Sequence, residues 1–289
     1  MQVYRGLDIG TAKPSAAERA RVPHHLIDVV DLNEPFDAAK FVELAGRAVV
    51  EIQARQRIPI FCGGTGLYFK AFLDGLGEAP PSDEKLRAEL EAAPLADLLR
   101  ELQERDPSTF EKIDRQNPRR VIRAVEVIRL TGKPFSAQRA RWGEAHDEPI
   151  LFQSGTRVRS PHRDSESRII GLSRASADLH SRVNSRVDEM FRRGLVDETR
   201  RLLDHGLAQN KTAMQAIGYR QVVEHLRGER SLSETIELVK TKTRQFAKRQ
   251  LTWLRKHANV EWIELAPADK PDAVAKKILA SEETRIKHG

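Results

Sequence analysis

The chain has one cysteine, Cys62, in 289 residues. A single thiol cannot build an internal disulfide framework and fits a reducing compartment, the cytoplasm. Cys62 follows Ile60 and Phe61 in a short apolar run, so a buried structural thiol is expected. No run of about 18 apolar residues occurs, which excludes a membrane-spanning helix. No signal-peptide pattern opens the chain. The nine histidines show no metal-ligand spacing, and His24-His25 reads as local packing at the start of an apolar run. No G-x-x-x-x-G-K-[ST] phosphate loop is present: Gly132-Lys133 runs into Pro134, with no glycine at the required spacing before it. Internal repeats are also missing. Acidic residues are in deficit, 42 against 49 Lys and Arg, for a net charge of +7. That excess suits either a nucleic-acid partner or a merely solvated basic surface.

What the chain does have is punctuated by glycine. Ile58 to Ala71 reads IPIFCGGTGLYFKA: an apolar run, a GGTG turn and a helix start. A strand, a tight turn and a helix in that order form the ligand-binding corner of open α/β sheets. Thr65 there either caps the helix or aims a hydroxyl at an anion. Ser15 and Glu18 make a capping box. His25 to Val30 reads as a strand, and Asp37 caps a helix running to about Arg55. The opening is therefore β-α-β-α, which predicts a parallel sheet with right-handed crossovers. From Asp83 to about Arg141 the pattern is helical, with its clearest start at Asn117-Pro118 and its stop at Gly132. Residues 153–168 are polar and Arg-rich and read as a loop. Ile169–Leu172 and Val260–Ile263 read as strands, with helices between them.

Five blocks together resemble the tRNA dimethylallyltransferases: QVYRGLDIGTAKP (Gln2–Pro14), GGTGLYFKA (Gly63–Ala71), NPRRVIRAVEVIRLTGKP (Asn117–Pro134), AIGYRQ (Ala216–Gln221) and RQFAKRQLTWLRK (Arg244–Lys256). They follow the family's order across nearly the whole chain. The resemblance implies a P-loop-NTPase-like α/β fold with an all-helical insertion. It puts the core at 1–82 and 146–289 and the insertion at 83–145. It implies a monomer that transfers a dimethylallyl group from dimethylallyl diphosphate to adenosine N6 beside the anticodon, with Mg²⁺ as cofactor. The family's phosphate loop sits on its first strand, and an Asp-Ser pair whose Asp is the general base would fall directly before the residues matching Met1-Gln2. A first strand is therefore expected upstream, with Met1 either an internal methionine or the start of a truncated chain. Lacking that strand, the chain is expected to be poorly soluble. A P-loop small-molecule kinase is the competing enzyme class, and an inactive tRNA-binding remnant is the non-enzymatic alternative.

The reaction needs a cationic cradle for diphosphate, a group to position the amine, and a way to take the base out of its stack. The resemblance makes Thr65 the catalytic residue of this chain. Lys13 either binds phosphate or is an exposed turn lysine. Arg182 and Arg186 stand four apart on one helix face and either neutralise the diphosphate or, for Arg182, pair with Asp178. For tRNA the expected contacts are Gln2, Arg87, Arg119, Arg120, Arg123, Gln215, Tyr219, Arg244, Lys248, Arg249 and Arg255. Gln2 falls near the flipped adenine. Arg119, Arg120 and Arg123 face phosphates or solvent. On the last helix Val239, Thr243, Phe246, Ala247, Leu251 and Leu254 make a core stripe. Trp253 joins that core or stacks on a base.

Overall fold

The structure is a computed structural model that describes residues 1–75, 80–139, 150–151, 157–158, 168–256 and 260–286. In chain order the helices are α1 (Ala16–Arg21), α2 (Ala38–Ala54), α3 (Gly66–Asp74), α4 (Glu84–Ala92), α5 (Leu95–Arg105), α6 (Pro107–Lys112), α7 (Pro118–Thr131) and α8 (Phe135–Arg139). The short strands β1 (Ile150–Leu151) and β2 (Arg157–Val158) follow, then β3 (Ile169–Arg174), α9 (Ser176–Arg192), α10 (Leu195–Asp204), α11 (Tyr219–Leu226), α12 (Leu232–Leu254), β4 (Val260–Leu265) and α13 (Pro271–Ile286). The chain divides into two compact units, 1–66 with 164–289, and 67–163. The helical unit thus takes in most of α3 and the β1–β2 pair as well as the 83–145 stretch.

In the first unit, local chemistry starts the helices where the sequence signals them. The Ser15 hydroxyl accepts from the Glu18 N–H, while the Glu18 carboxylate accepts from the Ser15 N–H. Asp37 caps α2 by accepting from the Lys40 N–H at 2.9 Å. That helix buries Val42, Ala45, Ala48 and Val49 at helical spacing. Strands β3 and β4 pair in parallel, Ile169 against Val260 through Arg174 against Leu265. The core contains Tyr4, Leu7, Val30, Phe36, Leu195, Leu207 and Tyr219, with the Tyr4 and Phe36 rings edge to face at 6.4 Å.

Two strand expectations need correction. His25–Val30 contributes a single parallel bridge, Tyr4 to Val30. Ile58–Cys62 joins neither sheet; Ile58 is 87% exposed and Ile60 80%. Cys62 is exposed rather than buried. A β pattern becomes a strand only when a neighbour accepts its ladder, and among the described residues no strand lies beside this run. The core stripe of α12 is also shorter than its spacing suggested. Thr235 and Val239 are buried, whereas Phe246 is 37% exposed.

The second unit is a helical cluster. Leu90 of α4, Leu98 and Leu102 of α5 and Val121, Ala124, Val125 and Ile128 of α7 form its core. Pro118 opens α7 at a position whose N–H is unpaired in any helix. The polar stretch 153–168 falls almost wholly outside the described residues.

Candidate nucleic-acid and diphosphate site

The segment Gln2–Lys13 is held by buried polar groups. The Lys13 ammonium donates to the Tyr4 carbonyl at 3.0 Å, to Asp8 at 2.6 Å and to Asp28. Its side chain is 3% exposed. An ammonium has three protons, and all three are committed, so Lys13 ties the segment together and offers no donor to a phosphate. Burial pushes the Asp28 carboxyl up, but Lys13 and Arg19 outweigh it and hold the group below its ordinary range. Gln2 donates its amide protons to the carbonyls of Thr11 at 3.0 Å and Ala12 at 3.2 Å. Tyr219, expected as a tRNA contact, is fully buried. Its hydroxyl donates to Glu198 at 2.6 Å and accepts from the Gly10 N–H at 3.1 Å. Burial, then the Glu198 charge, push its phenol well above the usual range.

The GGTG turn lies on α12. A Cβ at Gly66 would fall inside the Trp253 indole, and one at Gly64 would meet the Gln250 carboxamide. Neither glycine has a positive φ. Both are needed for close approach, and what approaches is the protein's own helix. Thr65 sits between them, exposed, directly before α3. The same helix carries an open concavity of about 400 Å³, lined by Gln245, Lys248, Arg249, Thr252, Trp253 and Lys256. These positions recur at three- and four-residue spacing and so share one face. Trp253 belongs both to this face and to the seat of Gly66. Lys248, Arg249, Arg255 and Lys256 are exposed. The Arg249 guanidinium lies 5.8 Å from the Phe246 ring centre. Arg244 is turned inward, donating to Asn184 of α9 at 2.6 Å and to Thr241 at 3.0 Å.

On α9, Arg182 donates to Asp178 at 3.0 Å and through Nη2 to the Pro267 carbonyl at 2.5 Å. Arg186, one turn on, is exposed. Gln215 is exposed and its amide donates to the Lys211 carbonyl. In the helical unit, Arg87 and Arg123 converge on Glu126, which is fully buried. Its carboxylate accepts from Arg87 at 2.5 Å, Arg123 at 2.6 Å, the Asp83 N–H at 3.2 Å and the Ser82 hydroxyl at 3.3 Å. Arg123 also donates to the Pro80 carbonyl. Arg119 and Arg120 are exposed on the same helix.

Glu126, which in sequence is only the one acid near Arg119, Arg120 and Arg123, and Glu198 have roles that the sequence did not show. Glu198 had a visible signal, because it shares the apolar face of α10 with Leu195 and Leu202 at helical spacing. Among the described residues no three His, Cys, Asp or Glu gather around a common point. The acidic pair Asp8 and Asp28 is occupied by Lys13.

A cationic helix face beside a glycine–threonine turn, on an α/β scaffold with a helical unit, has the character of a polyanion-binding protein. Comparison with known proteins gives the family. The family model for IPP transferases matches residues 2–257, and the chain belongs to that family. It is 41% identical over 288 residues to a tRNA dimethylallyltransferase of Desulforudis audaxviator, covering 98% of this chain and 87% of the relative. It is 42% identical to the enzyme of that name from Geobacter sulfurreducens, covering 96% and 86%. Among solved structures, the full-length tRNA isopentenylpyrophosphate transferase of Bacillus halodurans superposes with a TM-score of 0.65 at 37% identity, covering all of this chain and 88% of that one. A eukaryotic dimethylallyltransferase acting on tRNA gives a TM-score of 0.78 at 25% identity, covering 100% and 71%.

Proposed function

We propose that this chain transfers the dimethylallyl group of dimethylallyl diphosphate to N6 of adenosine 37, beside the tRNA anticodon. The carbon–oxygen bond to the diphosphate breaks, the N6–carbon bond forms, N6 loses one proton, and diphosphate leaves. The observation that carries the reading is the seat of the GGTG turn on α12, next to Lys248, Arg249 and Lys256. Cations at that spacing release counterions from an RNA backbone and bring it to the turn that holds Thr65. Thr65 offers a hydroxyl to the reacting groups, and Arg182 and Arg186 supply charge for the diphosphate. Arg255, Arg119 and Arg120 extend the phosphate contacts. Gln2 faces the base. Arg87 and Arg123 reach RNA only with the guanidinium edges that Glu126 leaves. The protein works as a monomer in the cytoplasm, where tRNA and the prenyl donor meet. Among the described residues no helix is long and apolar enough to cross a membrane.

The test is incubation of the 289-residue chain with radiolabelled dimethylallyl diphosphate and an anticodon stem-loop RNA. Label entering RNA with adenine at the target position, and not RNA with guanine there, is the expected result. Stem-loop binding with no transfer would favour the remnant reading. Neither binding nor transfer would defeat both.

A further inference from the structure

We infer that Glu198 and Tyr219 are positioning residues that fix the Gln2 carboxamide with its oxygen turned to the acceptor base; this rests on the function proposed above. Glu198 is 5% exposed and Tyr219 fully buried. Both carboxylate oxygens of Glu198 lie 3.0 Å from the Ile9 nitrogen. Tyr219 donates to the same carboxylate and accepts from the Gly10 N–H. One buried pair thus holds two consecutive backbone N–H groups, and the hydrogen bonds to the carboxylate are charge-assisted. The fit is close: a Cβ at residue 10 would stand 2.5 Å from the Tyr219 ring and 3.0 Å from Leu195.

The held loop in turn holds Gln2. A carboxamide has two donor protons and one acceptor oxygen. Both protons of Gln2 are taken by the Thr11 and Ala12 carbonyls, and the oxygen is the group left over. The backbone around it is set against its preference. Among the described residues four non-glycines have positive φ, and three of them, Ala12, Leu26 and Asp28, lie in this neighbourhood. The Asp28 N–H itself donates to the Gln2 carbonyl at 3.1 Å. Such conformations persist only where the surroundings over-determine them, and they cluster where placement matters. An acceptor fixed at this point pairs with an N–H. The exocyclic amine of adenine supplies one, whereas a keto oxygen in its place would be repelled. Glu198 and Tyr219 touch no substrate; they act through the loop and Gln2.

The test uses the full chain and two stem-loop RNAs that differ only at the target base, adenine in one and purine, which lacks the amine, in the other. Wild type is expected to prefer adenine by about 5–10-fold, the worth of one net hydrogen bond. Gln2→Ala and Tyr219→Phe should each shrink that preference to about twofold or less, with purine RNA bound by Tyr219→Phe as by wild type. A purely structural role would weaken both RNAs alike, and that result overturns the inference. So does full preference retained in Tyr219→Phe, or equal binding of the two RNAs by wild type. If wild type binds neither RNA, the proposed function falls as well.

Discussion

Two helices rich in basic residues look alike in sequence and differ in structure. On α7, Arg123 is paired with the buried Glu126, and Arg87 reaches the same carboxylate from α4. On the C-terminal half of α12 and just past its end, Lys248, Arg249, Arg255 and Lys256 have no ion-pair partner among the described residues and lie exposed, three of them beside an open concavity. A cation committed to a buried acid is part of the scaffold. An exposed cation with no acid beside it is available to phosphate. The same residue types are therefore held by a buried acid in one unit and left exposed in the other.

The largest effect should come from breaking the committed pair. Glu126→Ala leaves two guanidiniums, the Ser82 hydroxyl and the Asp83 N–H without their acceptor. Removing one side of a buried ion pair costs about 3–5 kcal/mol. The arginines here are 30% and 35% exposed, so about 2–3 kcal/mol is expected. Chemical denaturation would measure it, and a change under 1 kcal/mol would contradict the scaffold role. The converse is Lys248→Ala with Arg249→Ala and Arg255→Ala. Stability should stay within about 0.5 kcal/mol, while stem-loop affinity near 0.1 M salt drops on the order of 100-fold. The slope of log affinity against log salt should flatten by about 2–3. An unchanged slope would mean that this face does not meet phosphate.

The contrast explains what could be read in advance. Caps were legible because their chemistry is local: Ser15 with Glu18 and Asp37 with Lys40, whereas Asn117 stands at the start of α7 without a side-chain cap bond. Strands β3 and β4 were legible as apolar runs between turn signals. Whether a cation is free was not legible, because the partner of Arg87 lies 39 residues away and that of Ile9 lies 189 away. Tyr219 sits in a block that reads as a turn between helices, and only the fold shows that its hydroxyl meets Glu198 and Gly10. Ile58–Cys62 has an unmistakable strand composition, yet strand formation depends on a neighbour that composition does not name.

An intermediate effect should follow Gly66→Ala. The added methyl would collide with the Trp253 indole, and a ring cannot fold aside as a flexible chain end can. A cost of about 1–3 kcal/mol is expected, with transfer lost if Thr65 leaves the cationic face. Gly64→Ala meets only the end of Gln250 and should cost less. Equal costs for the two would show that the turn is not seated on the tryptophan.

The smallest effect is a pH dependence of the committed kind. The Asp28 carboxyl is lowered from its ordinary 3.8, because Lys13 and Arg19 outweigh the burial that pushes it up. A lowered acid contributes stability above its unfolded value and loses it as pH falls through the folded one. The brace around Lys13 should therefore be intact from about pH 5 upward and weaken below about pH 4. With the carboxylate 29% exposed, the contribution is about 0.5–1 kcal/mol. Asp28→Asn removes the negative charge at every pH, so its cost should be full at pH 7 and fade toward pH 3. A cost that stays constant across that range would mean that the lysine is held by its other acceptors, the Tyr4 carbonyl and Asp8, and that Asp28 serves only the backbone turn. Among the described residues Lys248 has no acid paired with it, so Lys248→Ala should show no such acid limb in its stability difference from wild type.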